Sequence, residues 1–230
     1  MDEINKIDLI EVKEIGYQGG LKKMLINPNA SLDDVYGSEY LPEFLKTILE
    51  KWLTWQERSE IDFASSISSL ALAPQWYAGL LAWGCWIVLE DSMEINIRDF
   101  AKNRGKKADI KQICIPLDVV GRTFAEAAVC RTPRDFPIVF TAVVVDFENK
   151  VVKDAKLAMT GASKKSVYES GSVKTIIGKA LTDEAIESLQ GLIGSEIEPK
   201  ADFRGSVEYR KEMTSVLTKR VLESCLKEAN

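Results

Sequence analysis

The chain contains no histidine. That removes Ser-His-Asp and Cys-His nucleophile activation, imidazole zinc sites and the HExxH arrangement together. The remaining reactive groups are carboxylates, lysines, tyrosines and four thiols: Cys85, Cys114, Cys130 and Cys225. The thiols stand 29, 16 and 95 residues apart, a spacing that matches no metal-ligand set or redox pair. Each lies in an apolar context and reads as a small buried hydrophobe in a reducing compartment. No paired carboxylates or activated nucleophile stand out. Two groups could meet an anion: the hydroxyls of Ser65, Ser66, Ser68 and Ser69, and the basic run Arg104–Lys107. For both, the plainer reading is a polar loop in water.

Thirty Lys and Arg against 35 Asp and Glu give a net charge of −5 and a pI near 5.1, with no basic stripe. Nucleic acid is therefore not an expected partner. The opening MDEINKIDLIEVKEIG has no basic segment followed by an apolar core, and the longest apolar stretch, around Ala78–Leu89, is far short of a membrane span. The expected setting is cytoplasmic and away from membranes. At 230 residues and 46% hydrophobic, the chain can bury a core and build two small domains. Their best boundary is near RGKKADI, which gives domains 1–108 and 109–230.

The elements that must position these residues read as follows. Ile7–Val12 and Lys23–Ile26 are strands, and Asn27-Pro28-Asn29 is a turn. Ser31 caps a helix with acids in its first turn. Leu41 to Trp55 is a helix with Leu45, Ile48, Leu49, Trp52 and Leu53 at steps of three and four. Residues 62–74 read as an irregular loop leading into a helix near Gln75. Trp83–Leu89 is a strand, Glu90–Arg98 a turn and second strand, and Arg98–Lys107 a polar connection. Ile113–Leu117, Thr123–Cys130, Ile138–Phe147 and Val151–Met159 form an antiparallel sheet, the last two as a hairpin. Ser166–Gly178 and Thr182–Ile197 read as helices, the second capped by Thr182 and ended by Pro199. A final helix starts at Ser206, with Tyr209, Met213, Val216, Leu217, Val221 and Cys225 inward and Arg210 among the outward residues. All five tryptophans, Trp52, Trp55, Trp76, Trp83 and Trp86, read as core of the first domain.

Residues 201–225, ADFRGSVEYRKEMTSVLTKRVLESC, resemble the Asp-x-Arg-Gly-Ser-x-Glu-Tyr-Arg signature of the FAD-binding (medium) subunits of molybdenum hydroxylases, the carbon monoxide dehydrogenase and xanthine dehydrogenase group. LAMTGASKKSVYESGSVKTIIGKALTDEAI, CRTPRDFPIVFTAVVVDFENKVV and IKQICIP resemble the same family in register, so 110–226 is similar to its C-terminal domain throughout. LLAWGCWIVLEDSMEINIRDF and MLINPNASLDDV resemble parts of its PCMH-type FAD domain. The resemblance implies an α+β fold: a truncated FAD-binding-like domain, then a three- or four-stranded antiparallel sheet with flanking helices. It implies FAD as cofactor, with a molybdenum-binding large subunit and an iron–sulfur small subunit as partners.

Three departures from the family touch the cofactor. The Ala-Gly-Gly-Thr-Asp-Leu loop, whose amides cradle the pyrophosphate, belongs to a first subdomain that this sequence is expected to lack; Gly19-Gly20 is followed by Leu-Lys-Lys. The Thr-Ile-Gly-Gly-Asn loop falls on Asp62-Phe63-Ala64-Ser65-Ser66, where side chains replace the glycines that admit an anion to the backbone. A family lysine near the flavin falls on Ala128, while Arg131 and Asp135 remain. By family position the cofactor contacts are Ala64, Ser65, Ser66, Arg131 and Asp135. Unpaired burial of the diphosphate charge is costly, so FAD binding by this chain alone is expected to be weak or absent. Two roles stay open: an electron-transfer subunit, or a flavin-less scaffold.

Overall fold

The computed structural model describes residues 9–15, 21–102, 106–117, 119–132 and 135–229. Gly19-Gly20, the start of the first expected strand, and Arg104 lie outside them. In chain order the elements are β1 (Ile10–Ile15), β2 (Leu21–Ile26), α1 (Leu32–Tyr36), α2 (Glu43–Trp52), α3 (Trp55–Glu60), α4 (Phe63–Ser68), α5 (Pro74–Trp83), β3 (Trp86–Leu89), β4 (Glu94–Asn96), α6 (Ile97–Lys102), β5 (Ile110–Pro116), β6 (Arg122–Val129), β7 (Val139–Glu148), β8 (Val151–Thr160), β9 (Val167–Glu169), α7 (Asp183–Glu196) and α8 (Val207–Ala229). The fold is α+β with antiparallel sheets. Among the described residues no helix is long and apolar enough to cross a membrane.

The first compact unit takes Met1–Ala73 and Gly84–Asp118. Its five strands run in the order β1-β2-β5-β3-β4. Period-two alternation puts Met24, Ile26, Ile87, Ile113 and Ile115 on one face, and all five are fully buried. The helix expected over 41–55 breaks at Leu53. Thr54 starts α3 with a capping box, in which Glu57 N donates to Thr54 Oγ1 and Thr54 N donates to Glu57 Oε2. Residues 63–68, expected as loop, form a helix, and residues 97–102 form another in place of a polar connection.

The second unit takes Pro74–Trp83 and Val119–Asn230. The break therefore falls at 118/119 rather than 108/109, because β5 pairs with β2 and β3 of the first unit. Helix α5 goes to the second unit and packs on β7, β8 and β9. Trp76 and Trp83 accordingly belong there rather than to a first-domain core, and Trp55 is exposed. The sheet order is β6-β7-β8-β9. One face, carrying Val143, Val145, Ala155, Leu157 and Met159, packs with Ile186, Leu189 and Ile193 of α7 and Val221, Leu222 and Cys225 of α8. Arg122 latches α5 to the sheet: it donates to both oxygens of Asp146 at 2.7 and 2.8 Å and to the Trp83 carbonyl at 3.2 Å, with its guanidinium 4.7 Å from the Trp83 ring.

Residues 166–178 do not form the expected α-helix. Val167 to Glu169 pair with Ala158 to Thr160, and Ser172–Ile176 is a 3-10 turn. Glu196, at the end of α7, holds the bend that follows this strand. Its carboxylate accepts from Ser170 Oγ at 2.6 Å, Gly171 N at 2.6 Å and Tyr168 Oη at 3.1 Å, and so fixes a bend there.

Candidate cofactor site

The segment that carries Ala64, Ser65 and Ser66 sits on the turn after β2. Asn29 N donates to Asn27 Oδ1, and Ser31 caps α1 by accepting from Asp34 N at 3.0 Å. The chain beyond this turn runs against residues 61–64. Leu32 N donates to Ile61 O at 2.9 Å, Phe63 N to Ala30 O at 2.8 Å and Ala64 N to Pro28 O at 3.0 Å.

Asp62 is the N-cap of α4. Its Oδ1 accepts from Ser65 N at 2.9 Å, and its Oδ2 accepts from Ser65 Oγ at 2.8 Å and from Lys107 Nζ at 2.7 Å. Ser66 N donates to the Asp62 carbonyl at 3.1 Å, and Ser66 Oγ to the Phe63 carbonyl at 2.7 Å. Burial alone pulls the Asp62 carboxyl upward, but the Lys107 and Ser65 donors outweigh it and hold it below the ordinary carboxylate value.

This arrangement does not fit a dinucleotide's phosphates. The amides of Phe63, Ala64, Ser65 and Ser66 all have acceptors within the chain. Ala64 and Ser66 are fully buried, so their side chains line no open cradle. A phosphate brought to about 4 Å from the Asp62 carboxylate would meet a repulsion of about 4 kcal/mol at an effective dielectric of 20. The two serines expected as phosphate donors are brought together on one helical turn, and both hydroxyls are spent internally.

Arg131 and Asp135 lie in the second unit, on the exposed connection between β6 and β7. Asp135 N donates to the Thr132 carbonyl at 3.1 Å. Ala128 sits on β6 opposite Phe140, where its methyl supplies no charge. Among the described residues no group of three or more His, Cys, Asp or Glu could hold a metal ion.

The Asp202 to Arg210 signature has a structural role. Asp202 Oδ1 accepts from Arg204 N at 2.8 Å, Gly205 N at 3.3 Å and Arg210 Nη2 at 2.7 Å. Its Oδ2 accepts from Arg204 Nε at 3.0 Å and Nη2 at 2.8 Å. Ser206 caps α8 by accepting from Tyr209 N at 3.1 Å. Arg210, expected outward, is 3% exposed and donates through Nη1 to the Ile138 carbonyl, while Tyr209 is 37% exposed. The inward helix positions include Arg210, Thr214, Leu217, Thr218 and Val221, and Val216 is exposed. Sequence periodicity missed Arg210 because its acceptor lies 72 residues away.

Residues 122–225 match the profile of the CO dehydrogenase flavoprotein C-terminal domain. The chain is similar in sequence to medium chains of dehydrogenases. It is 29% identical over 119 residues to the glyceraldehyde dehydrogenase medium chain of Sulfolobus acidocaldarius, covering 52% of this chain and 42% of that one. It is 26% identical over 113 residues to the carbon monoxide dehydrogenase medium chain of Hydrogenophaga pseudoflava, covering 49% of this chain and 39% of that one. The matches thus span less than half the length of these curated relatives. A solved carbon monoxide dehydrogenase from Hydrogenophaga pseudoflava shares the fold over 95% of this chain and 78% of its own, with a TM-score of 0.77 at 18% identity.

Proposed function

We propose that the chain serves as a medium-type subunit in a molybdenum hydroxylase-like oxidoreductase assembly and contributes little FAD affinity of its own. Its partners on this reading are a molybdenum-binding large subunit and an iron–sulfur small subunit, in the cytoplasm. Four free cysteines accord with that compartment. In such an assembly FAD would supply hydride or single-electron transfer to an acceptor. This chain's own contribution is a rigid C-terminal unit, pinned by the Asp202–Arg210 knot and the Arg122–Asp146 pair.

The observation that carries the reading is the pairing of a family C-terminal unit with an α4 whose first amides are all in use. The unit carries the Asp202–Arg210 signature, while the segment where the resemblance implies a phosphate loop has its first-turn amides in use. The scaffold alternative draws on the same closure together with Ala128 in place of the family lysine.

Affinity purification of the tagged full chain from its native cells, with metal analysis of the eluate, tests membership in the assembly. The reading expects co-elution of polypeptides carrying molybdenum and iron–sulfur clusters. A chain that elutes alone and binds neither partner on mixing would contradict it.

A further inference from the structure

Asp62 is not a passive cap. Its two carboxylate oxygens receive three donors, from the amide and hydroxyl of Ser65 and from Lys107 on a distant segment. The neighbouring amides of Phe63 and Ala64 are taken by carbonyls of the 28–30 turn. Side-chain exposures of 25% for Asp62 and 44% for Lys107 leave the pair partly shielded. The arrangement is closed in charge, since one carboxylate meets one ammonium, and closed in hydrogen bonds.

We infer that Asp62 is an internal anion standing where the family's phosphate loop would take a ligand, that Lys107 is its counter-ion, and that α4 is thereby self-filled and closed to phosphate. This rests on the proposed reading and sharpens it: the loss of cofactor affinity is assigned to an occupied seat rather than to an empty or disordered one. Removing glycine opens no space for a phosphate, and inserting a carboxylate then supplies the negative charge that the first turn of a helix favours. Lys107 adds a tie between residues 106–109 and α4, so the same carboxylate braces two segments of the first unit.

The test uses the full chain and amide hydrogen exchange at residues 63–66, with and without FAD, ADP and inorganic phosphate. The inference expects these amides to be protected without ligand and unchanged by any of the three. Asp62→Ala is expected to speed exchange at Ser65 about twofold to thirtyfold, the range a lost N-cap produces. Asp62→Asn keeps an amide oxygen that can cap, so Ser65 is expected to stay protected while the tie to Lys107 is lost. Lys107→Met is expected to loosen residues 106–109 and leave the Ser65 amide protected. If Asp62→Ala fails to fold, the asparagine and methionine variants carry the test.

Added protection at 63–66 with FAD, ADP or phosphate overturns the inference, and so does unchanged Ser65 exchange in a folded Asp62→Ala chain. FAD binding that leaves 63–66 untouched upholds the filled seat while defeating weak cofactor affinity, so the two failures are distinguishable. Exchange in Asp62→Asn or Lys107→Met identical to wild type throughout 62–66 and 106–109 also counts against the lock.

Discussion

Replacing Arg210 with methionine probes the knot that holds the C-terminal unit. The wild-type side chain is 4% exposed, and its guanidinium donates at 2.7 Å to Asp202 and also to the Ile138 carbonyl. Methionine keeps much of the apolar stem but no donor. Removing one partner of a buried ion pair costs about 3–5 kcal/mol. Asp202 is 32% exposed and retains Arg204, so the lower end, about 3 kcal/mol, is expected. With a urea slope of about 2 kcal/mol/M, the unfolding midpoint of that unit should fall by about 1.5 M.

Tryptophan fluorescence follows it, since Trp76 and Trp83 belong to the second unit, and the two units can unfold in separate steps. Burial pushes the Asp202 carboxyl upward, but the Arg204 and Arg210 donors overcome this and hold it well below the usual carboxylate range. Its folded value therefore lies under its unfolded one. The stabilisation is complete above about pH 4 and fades as pH falls through the folded value. The methionine variant should show less of this acid dependence. A midpoint within about 0.2 M of wild type, on the same urea slope, would refute the reasoning.

Further outcomes follow from other contacts. Gly161→Ala should cost at least about 2 kcal/mol in the same assay, because φ is +74° and the added Cβ would stand 2.1 Å from the Ile138 oxygen. Glu196→Gln should cost about 1–2 kcal/mol and release the Tyr168 phenol, which burial and the adjacent Glu196 push up to about 12. Spectrophotometric titration of tyrosine would register the second effect. Burial raises the Cys114 and Cys225 thiols to about 11 and about 12. A thiol reagent at pH 8 should therefore react promptly with at most half-buried Cys130 in the native chain, and with all four cysteines in denaturant.

Local signals were legible where local physics decides. Ser31 and Thr182 cap the helices their sequences announce, and Val151 to Met159 returns as the hairpin partner of β7. The antiparallel sheet, expected with three or four strands, was readable for the same reason and has four, whereas the likeness to the family's C-terminal domain rested on motif resemblance. The reading failed where a distant partner sets the outcome. The serines of 65–69 suggested loop, yet Asp62 caps them into a helix that Pro28 and Ala30 complete from the preceding turn. The helix expected over 166–178 is replaced by a short strand and a bend held by Glu196, and Arg210 is drawn inward by Ile138 and Asp202. At the candidate site, Lys107 reads in the sequence as part of a solvated basic run, yet it closes the Asp62 cap from 45 residues away.

The most direct measurement of the central claim is equilibrium dialysis of purified full-length chain against FAD, with the retained flavin read by absorbance after the protein is denatured. The account predicts flavin retention far below one per chain. Retention near one FAD per chain by this polypeptide alone would contradict it.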